Sequence, residues 1–185
     1  MKKIILDLCG GTGSWSKPYL EAGYDVRNIT LPECDVMSYR TPNKVYGVLA
    51  APPCTDFAVS GAWTWKTKDI DGRTIDSMGI VIACLRIIAE ARPKFWALEN
   101  PIGRLNSWLG KPNMYFQPFE YGDPYTKKTC LWGVFNNPEK NIVDPIKVCK
   151  QGSWVQKLGG KSERTKMLRS VTPEGFARAF FEANK

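Results

Sequence analysis

The chain of 185 residues contains no histidine, the side chain most often used to move protons near neutral pH. Any acid–base chemistry must therefore come from Asp, Glu, Cys, Lys, Tyr or water. Paired cysteines are also missing. Cys9, Cys34, Cys54, Cys84, Cys130 and Cys149 are spread along the chain with no Cys-x-x-Cys spacing, which argues against a zinc site or a disulfide framework. Long apolar runs are absent too. The run that follows Met1-Lys2-Lys3 is only Ile4 to Leu8, and it already contains Asp7. It is too short and too polar for the apolar region of a signal peptide, and no other run is long enough to span a membrane. The expectation is a cytoplasmic protein with no membrane partner. No repeat, low-complexity tract or linker interrupts the sequence, so residues 1–185 are expected to form a single domain.

Acidic residues are scarce in the last third. From Lys127 to Arg169 there are ten basic residues and only Glu139, Asp144 and Glu163 to oppose them, which places seven of the net +8 charges in this stretch. Such an imbalance suits a polyanion, with nucleic acid the leading candidate. A solvated, solubilising face is the alternative reading of the same charges.

The first half of the chain alternates between two periodicities. Residues 3–8 form a short apolar run that ends at glycines, as a buried parallel strand does. After Gly10-Gly11-Thr12-Gly13, Ser14 or Ser16 can cap a short helix through Leu20 and Ala22 that stops at Gly23. Residues 24–29 and 45–50 read as further strands. Asp76 or Ser77 is expected to open a helix whose apolar positions are Met78, Val81, Ile82, Leu85, Ile88 and Ala89, with Pro93 ending it. Phe95 to Leu98 then reads as a strand leading into Glu99-Asn100-Pro101. This alternation predicts an α/β fold, a mostly parallel sheet with helices on both faces. The loops that follow the strands should gather on one edge, the usual ligand edge of such sheets. Residues 101–165 are rich in Pro, Gly, Trp and Lys and are expected to form short strands and loops. Thr172-Pro173-Glu174 opens a last helix from Gly175 to Ala183, with Phe176, Ala179 and Phe180 on one side.

Three segments with chemical potential follow strands and should meet at that edge. Asp7-Leu8-Cys9-Gly10-Gly11-Thr12-Gly13 lets the backbone turn sharply and approach a ligand. It lacks the Gly-Lys-Ser/Thr ending of a phosphate-binding Walker loop, so it fits either an adenosine-containing cofactor or a structural turn. Cys54 follows two prolines at a strand end, which places a nucleophilic sulfur on the rim. As a thiolate it suits addition to C6 of a polarised pyrimidine; a buried structural cysteine is the plainer alternative. Phe57, Ser60, Gly61, Trp63, Trp65, Lys66 and Lys68 mix aromatic, small and basic residues, as a mobile loop over a base and its phosphates could. Glu99 ends an apolar strand, where partial burial would raise its pKa and let it hold a proton against a ring nitrogen. A carboxylate that caps a loop is equally compatible with that position.

Taken together these segments resemble the DNA (cytosine-5) methyltransferases. Asp7 to Gly13 is similar to that family's cofactor motif, and Glu33-Cys34-Asp35-Val36 to the acidic motif that contacts the adenine. Ala51-Pro52-Pro53-Cys54-Thr55-Asp56-Phe57 resembles the catalytic Pro-Cys motif, and Leu98-Glu99-Asn100-Pro101 the Glu-Asn motif. Tyr121 to Thr129 resembles the later arginine-bearing motif, and Arg169-Ser170-Val171-Thr172-Pro173 the final one, whose helix packs beside the first. The order agrees and the resemblance spans nearly the whole chain. It implies a Rossmann-like fold dependent on S-adenosylmethionine, with Cys54 and Glu99 catalytic. Asp7, Cys9, Gly11, Thr12, Gly13, Asp35, Val36 and Pro53 would line the cofactor site, and Asn100, Lys127 and Lys128 the substrate. The implied reaction is methylation of cytosine C5 through a Cys54–C6 bond, with the base flipped out if the DNA is duplex.

The sequence also departs from the family. Tyr125-x-Lys127-x-Thr129 stands where the family has Gln-x-Arg-x-Arg, so Lys127 or Lys128 would replace an arginine without its planar fork. Thr55 and Ala58 stand where Gln and Ser are usual, and no acid ends the second strand near Ile29-Thr30 to hold a ribose. Thr129 and Arg169 are 40 positions apart, where the family inserts a target-recognition domain. The expectation is binding through phosphates from a basic region around residues 101–169 with low sequence specificity, or a separate recognition subunit. A cytosine nucleotide, single-stranded DNA or RNA is an alternative substrate, and a non-catalytic nucleic-acid-binding relic of the fold is an alternative of another class.

Overall fold

A computed structural model describes residues 2–148, 150, 152–158 and 162–185, the side chains of Glu163 and Lys166 excepted. Met1, Cys149 and Lys161, which entered the sequence reading, lie outside the described residues. The elements run β1 (Ile4–Leu8), α1 (Lys17–Glu21), β2 (Asp25–Ile29), β3 (Val45–Ala50), a 3-10 helix (Val59–Thr64), α2 (Trp65–Ile70), α3 (Arg73–Ala91), β4 (Phe95–Pro101), α4 (Asn106–Leu109), β5 (Met114–Phe116), a short 3-10 turn (Pro118–Glu120), β6 (Thr129–Val134), α5 (Trp154–Lys157), α6 (Glu163–Ser170) and α7 (Glu174–Ala183).

Six strands form one sheet in the order β2-β1-β3-β4-β6-β5. The pairs β1–β2, β1–β3 and β3–β4 are parallel, whereas β6 runs antiparallel to both β4 and β5. The chain leaves β1 to build β2 on one side and later β3 on the other, so the strand order reverses at β1. In open α/β sheets the crevice beyond the carboxyl ends at such a reversal is where ligands bind. The fold is Rossmann-like.

Alternate residues of the central strands feed two cores, as the two-residue period of a strand requires. Leu6, Leu8, Val48, Ala50 and Leu98 pack in one cluster with Val81, Cys84, Ile87 and Ile88 of α3. Ile5, Leu49, Phe95, Ala97 and Leu131 pack in the other with Tyr19 of α1 and Phe176, Ala177 and Phe180 of α7. Phe176 stacks on Phe116 with ring centroids 3.7 Å apart, which fastens the last helix to the edge strand β5. Helices therefore cover both faces, as the apolar alternation predicts.

Several local expectations are corrected. Helix α3 starts at Arg73, before Asp76 and Ser77. Ser77 does not cap it; its hydroxyl donates to Asp56 at 2.6 Å. Ile82, expected on the apolar face, is exposed, and Ile87 is buried instead. Ser16 occupies the position before α1, yet its hydroxyl caps nothing and turns to Asp7. The segment after Cys54 is not a loop: it forms the 3-10 helix and α2, with Lys68 buried. Strand β4 runs on through Pro101, so Glu99 and Asn100 stand within it, opposite Leu131 and Cys130 of β6. The pairing that β6 supplies is contributed from some thirty residues downstream, which no local pattern around Glu99 encodes.

Candidate active site

The turn after β1 is built around a buried carboxylate. Asp7 has no exposed surface; its Oδ2 accepts the Ser16 hydroxyl at 2.5 Å, while Oδ1 has no partner among the described residues. Burial pushes its pKa up to about 6, and the Ser16 hydrogen bond opposes that shift. A Cβ on Gly10 would lie 2.3 Å from the Asp7 carboxyl carbon, so only glycine lets the loop pass over this side chain. Gly11 and Gly13 have φ of 53° and 70°, and the space around a Cβ at Gly11 is open. Gly11 and Thr12 are exposed. Asn28 of β2 donates to the Gly11 carbonyl at 3.0 Å and steadies the loop from the neighbouring strand. Cys9, at φ 56°, donates its N–H to Ile29, and its sulfur shares a hydrogen bond with Cys84 of α3 that favours the Cys9 thiolate.

The turn after β3 carries Cys54. Pro52 is buried and Pro53 exposed, and Cys54 itself is half-buried and a free thiol among the described cysteines. Its carbonyl accepts the N–H groups of Phe57 and Ala58 at 3.0 and 2.9 Å. Burial raises the thiol pKa and the Glu99 carboxylate raises it further, whereas Lys127 and Arg169 pull it back down. Cys54, Glu99, Lys127 and Arg169 are thus within electrostatic reach of one another, although they come from β3's turn, β4, the approach to β6 and the end of α6.

Glu99 is pushed above the ordinary carboxylate range by burial, with Lys127 opposing. It remains partly accessible, so a carboxyl group that burial makes a weaker acid faces the same edge as the thiol. Asn100 is fully buried. Its amide donates to the Pro52 carbonyl at 3.0 Å and its Oδ1 has no partner among the described residues. Asn100 therefore ties β4 to the Cys54 turn.

The two candidate lysines separate. Lys127 donates through Nζ to the Val171 carbonyl at 3.3 Å and acts on both Glu99 and Cys54. Lys128 is exposed and lies over the Tyr115 ring at 5.5 Å. Asp35 is exposed and accepts the Met37 N–H at 2.9 Å, while Val36 is buried in the α3-side core. A cavity of about 300 Å³ opens between α1, α7 and residues 123–125, bordered by Ser14 at the end of the glycine loop and by Thr172, whose N–H donates to the Ser14 hydroxyl at 3.0 Å. Cys54 and Glu99 do not line it. Asn28 and Arg104 escape the sequence reading, and Lys68 and Arg169 enter it only as members of longer segments, without the contacts described here. Each acts on a residue at least 13 positions away, and no local spacing signals that.

No protein-family model matches the chain. No curated protein matches it either. A similar solved structure is a prophage-encoded protein from E. coli, provisionally described as a DNA modification methyltransferase. It is 17% identical, with a TM-score of 0.49, over 78% of this chain and 53% of that one, so this chain spans about half of that protein's length.

Proposed function

We propose that the chain transfers a methyl group from S-adenosylmethionine to C5 of cytosine in DNA, using Cys54 as a covalent nucleophile. The observation that supports this reading most is the meeting of a rim thiol, a carboxyl group that favours its proton and a lysine at the carboxyl ends of adjacent parallel strands.

The two acids assist each other. Burial weakens Glu99 as an acid, and whenever Glu99 holds its proton it does not repel a negative sulfur; Lys127 and Arg169 favour the Cys54 thiolate as well. The thiolate adds to C6 of the base while Glu99 hydrogen-bonds N3 and delivers its proton there as electron density moves toward C5. C5 takes the methyl group and the donor departs as its thioether; a water molecule then removes the C5 proton, the C6–sulfur bond breaks to release Cys54 as a thiolate, and N3 returns its proton to Glu99. Lys127 is the cation placed to steady the base oxygen.

The turn after β1 fits the methyl donor. It offers an exposed backbone at Gly11 and Thr12, with Gly13 half-buried beside them, and the buried Asp7 Oδ1, without a partner among the described residues, lies beneath it. Cys9, Asp35 and Pro53 would flank the donor, with Val36 supporting from the core. Bound there, S-adenosylmethionine supplies an electrophilic methyl group. The basic stretch from Lys127 to Arg169 would hold phosphates with little reading of bases, either alone or beside a recognition partner.

The test is a panel of duplex DNA, single-stranded DNA, RNA and dCMP incubated with methyl-labelled S-adenosylmethionine. Label is expected in DNA at C5 of cytosine. Cys54→Ser should lose roughly 10³-fold or more in turnover while calorimetry shows donor binding intact. Full activity of that variant rules the mechanism out. Steep loss of affinity with salt is expected for DNA, whereas a shallow slope with labelled dCMP would move the assignment to a nucleotide substrate.

A further inference from the structure

The Cys54 turn and the Glu99 strand are joined by a set of contacts that the proposed chemistry does not itself use. Between Pro52 and Phe57, five of the six backbone carbonyls accept a hydrogen bond. Pro52 accepts from Asn100 Nδ2 at 3.0 Å, Thr55 from Lys68 Nζ at 2.6 Å and Asp56 from Arg104 Nε at 3.0 Å. Phe57 accepts from the Arg104 N–H at 2.9 Å, and Cys54 from the two N–H groups that follow it. Lys68 is buried and also pairs with Asp56 at 3.1 Å. Arg104 spends the rest of its fork on Asp69, at 2.7 and 2.9 Å, and on Thr74 at 2.6 Å, and lies between the rings of Trp65 and Trp108.

Arg104 enters from the segment that continues β4, three residues past its end. That segment is stitched to the Cys54 side in two further places. Val59 donates to Ile102 at 2.8 Å, and Ala58 bridges to Gly103. A Cβ on Gly103 would lie 1.9 Å from the Phe57 carbonyl oxygen, so the two backbones touch. The strand that carries Glu99 and the turn that carries Cys54 therefore form one unit.

We propose that Arg104, with Lys68 and Gly103, is a positioning device that sets the separation of the Cys54 sulfur from the Glu99 carboxyl group. The role rests on the reading of Cys54 and Glu99 as a reacting pair. A full fork of donors at Arg104 and a bare backbone at Gly103 are what a spacing held to a fraction of an ångström requires. Neither residue has to touch the substrate.

The test measures alkylation of Cys54 by iodoacetamide across the pH range in which thiols ionise, read at the Cys54 peptide by mass spectrometry, for the wild type, Gly103→Ala, Arg104→Met and Arg104→Lys. Gly103→Ala changes no charge and must push the two segments apart. The expected result is a midpoint at least ~0.5 pH unit lower in Gly103→Ala and Arg104→Met, because the thiol loses burial and the nearby carboxylate. Arg104→Lys, which keeps the cation and loses the fork, should fall between. Methyl transfer should lose about tenfold or more in kcat, with KM for the donor unchanged. Circular dichroism verifies folding. If Arg104→Met does not fold, Arg104→Lys and Gly103→Ala decide. Wild-type midpoints in the folded variants overturn the positioning role. A wild-type protein that transfers no methyl group defeats the enzyme reading instead, and the thiol titration still judges the spacing.

Discussion

The turns after β1 and β3 leave the same edge of the sheet one strand apart, yet they are held in opposite ways. The Cys54 turn has nearly every carbonyl occupied by a side chain or backbone donor from α2, β4 or the segment after β4. The glycine turn is held from below, by Asp7, Ser16 and Asn28, and leaves Gly11 and Thr12 facing solvent. Under the proposed function, the contacts around the Cys54 turn set the direction of its sulfur, and the exposed backbone at Gly11 and Thr12 is where the donor approaches.

That contrast can be broken experimentally, starting with the largest effect. Glu99→Gln keeps the shape of the rigid side and removes its proton. Turnover is expected to fall roughly 10²–10⁴-fold with donor affinity unchanged, measured by labelled-methyl kinetics and calorimetry. An unchanged kcat would remove Glu99 from the chemistry.

Next comes the buried acid under the glycine turn. With a folded pKa of about 6 against an unfolded value of 3.8, Asp7 binds its proton more tightly in the native chain. Its contribution to stability is complete below pH about 4 and is lost as pH rises through about 6, a fall of about 3 kcal/mol. Denaturant melts between these limits should show this fall in the wild type and a flatter profile in Asp7→Asn. Equal slopes would mean that Asp7 is not the titrating group.

The smallest effect separates two glycines in the same turn. Gly10→Ala drives a methyl group into the Asp7 carboxylate and should cost about 1–3 kcal/mol together with donor affinity. Gly11→Ala meets open space and carries only the strain of its positive φ, about 1 kcal/mol. Equal losses in thermal stability would show that the turn is not propped on Asp7.

Legibility in the sequence follows the range of the interactions. Strands β1 and β3 were readable because a buried parallel strand is a short apolar run bounded by glycine or proline. The placement of Cys54 and Glu99 on one edge followed from those runs, since parallel strands put their carboxyl ends together. The onset of α3 was misjudged because Ser77, a good cap by type, is drawn to Asp56 21 positions earlier. The choice between Lys127 and Lys128 could not be read, because both precede β6 and no strand or helix period sets the side each one takes. The Val171 carbonyl and the Tyr115 ring separate them, and both come from other parts of the chain.

By itself the sequence determined the alternation of elements, the thiol just past a strand end, and the excess of positive charge in the last third. Tertiary structure alone decided that Lys127 and Arg169 both bear on Cys54, and that Arg104 and Lys68 lock its turn. The reason is physical. Strand and helix periods are written within a few neighbouring residues, whereas the field at a sulfur atom and the hydrogen bonds to a turn depend on groups that only folding brings together.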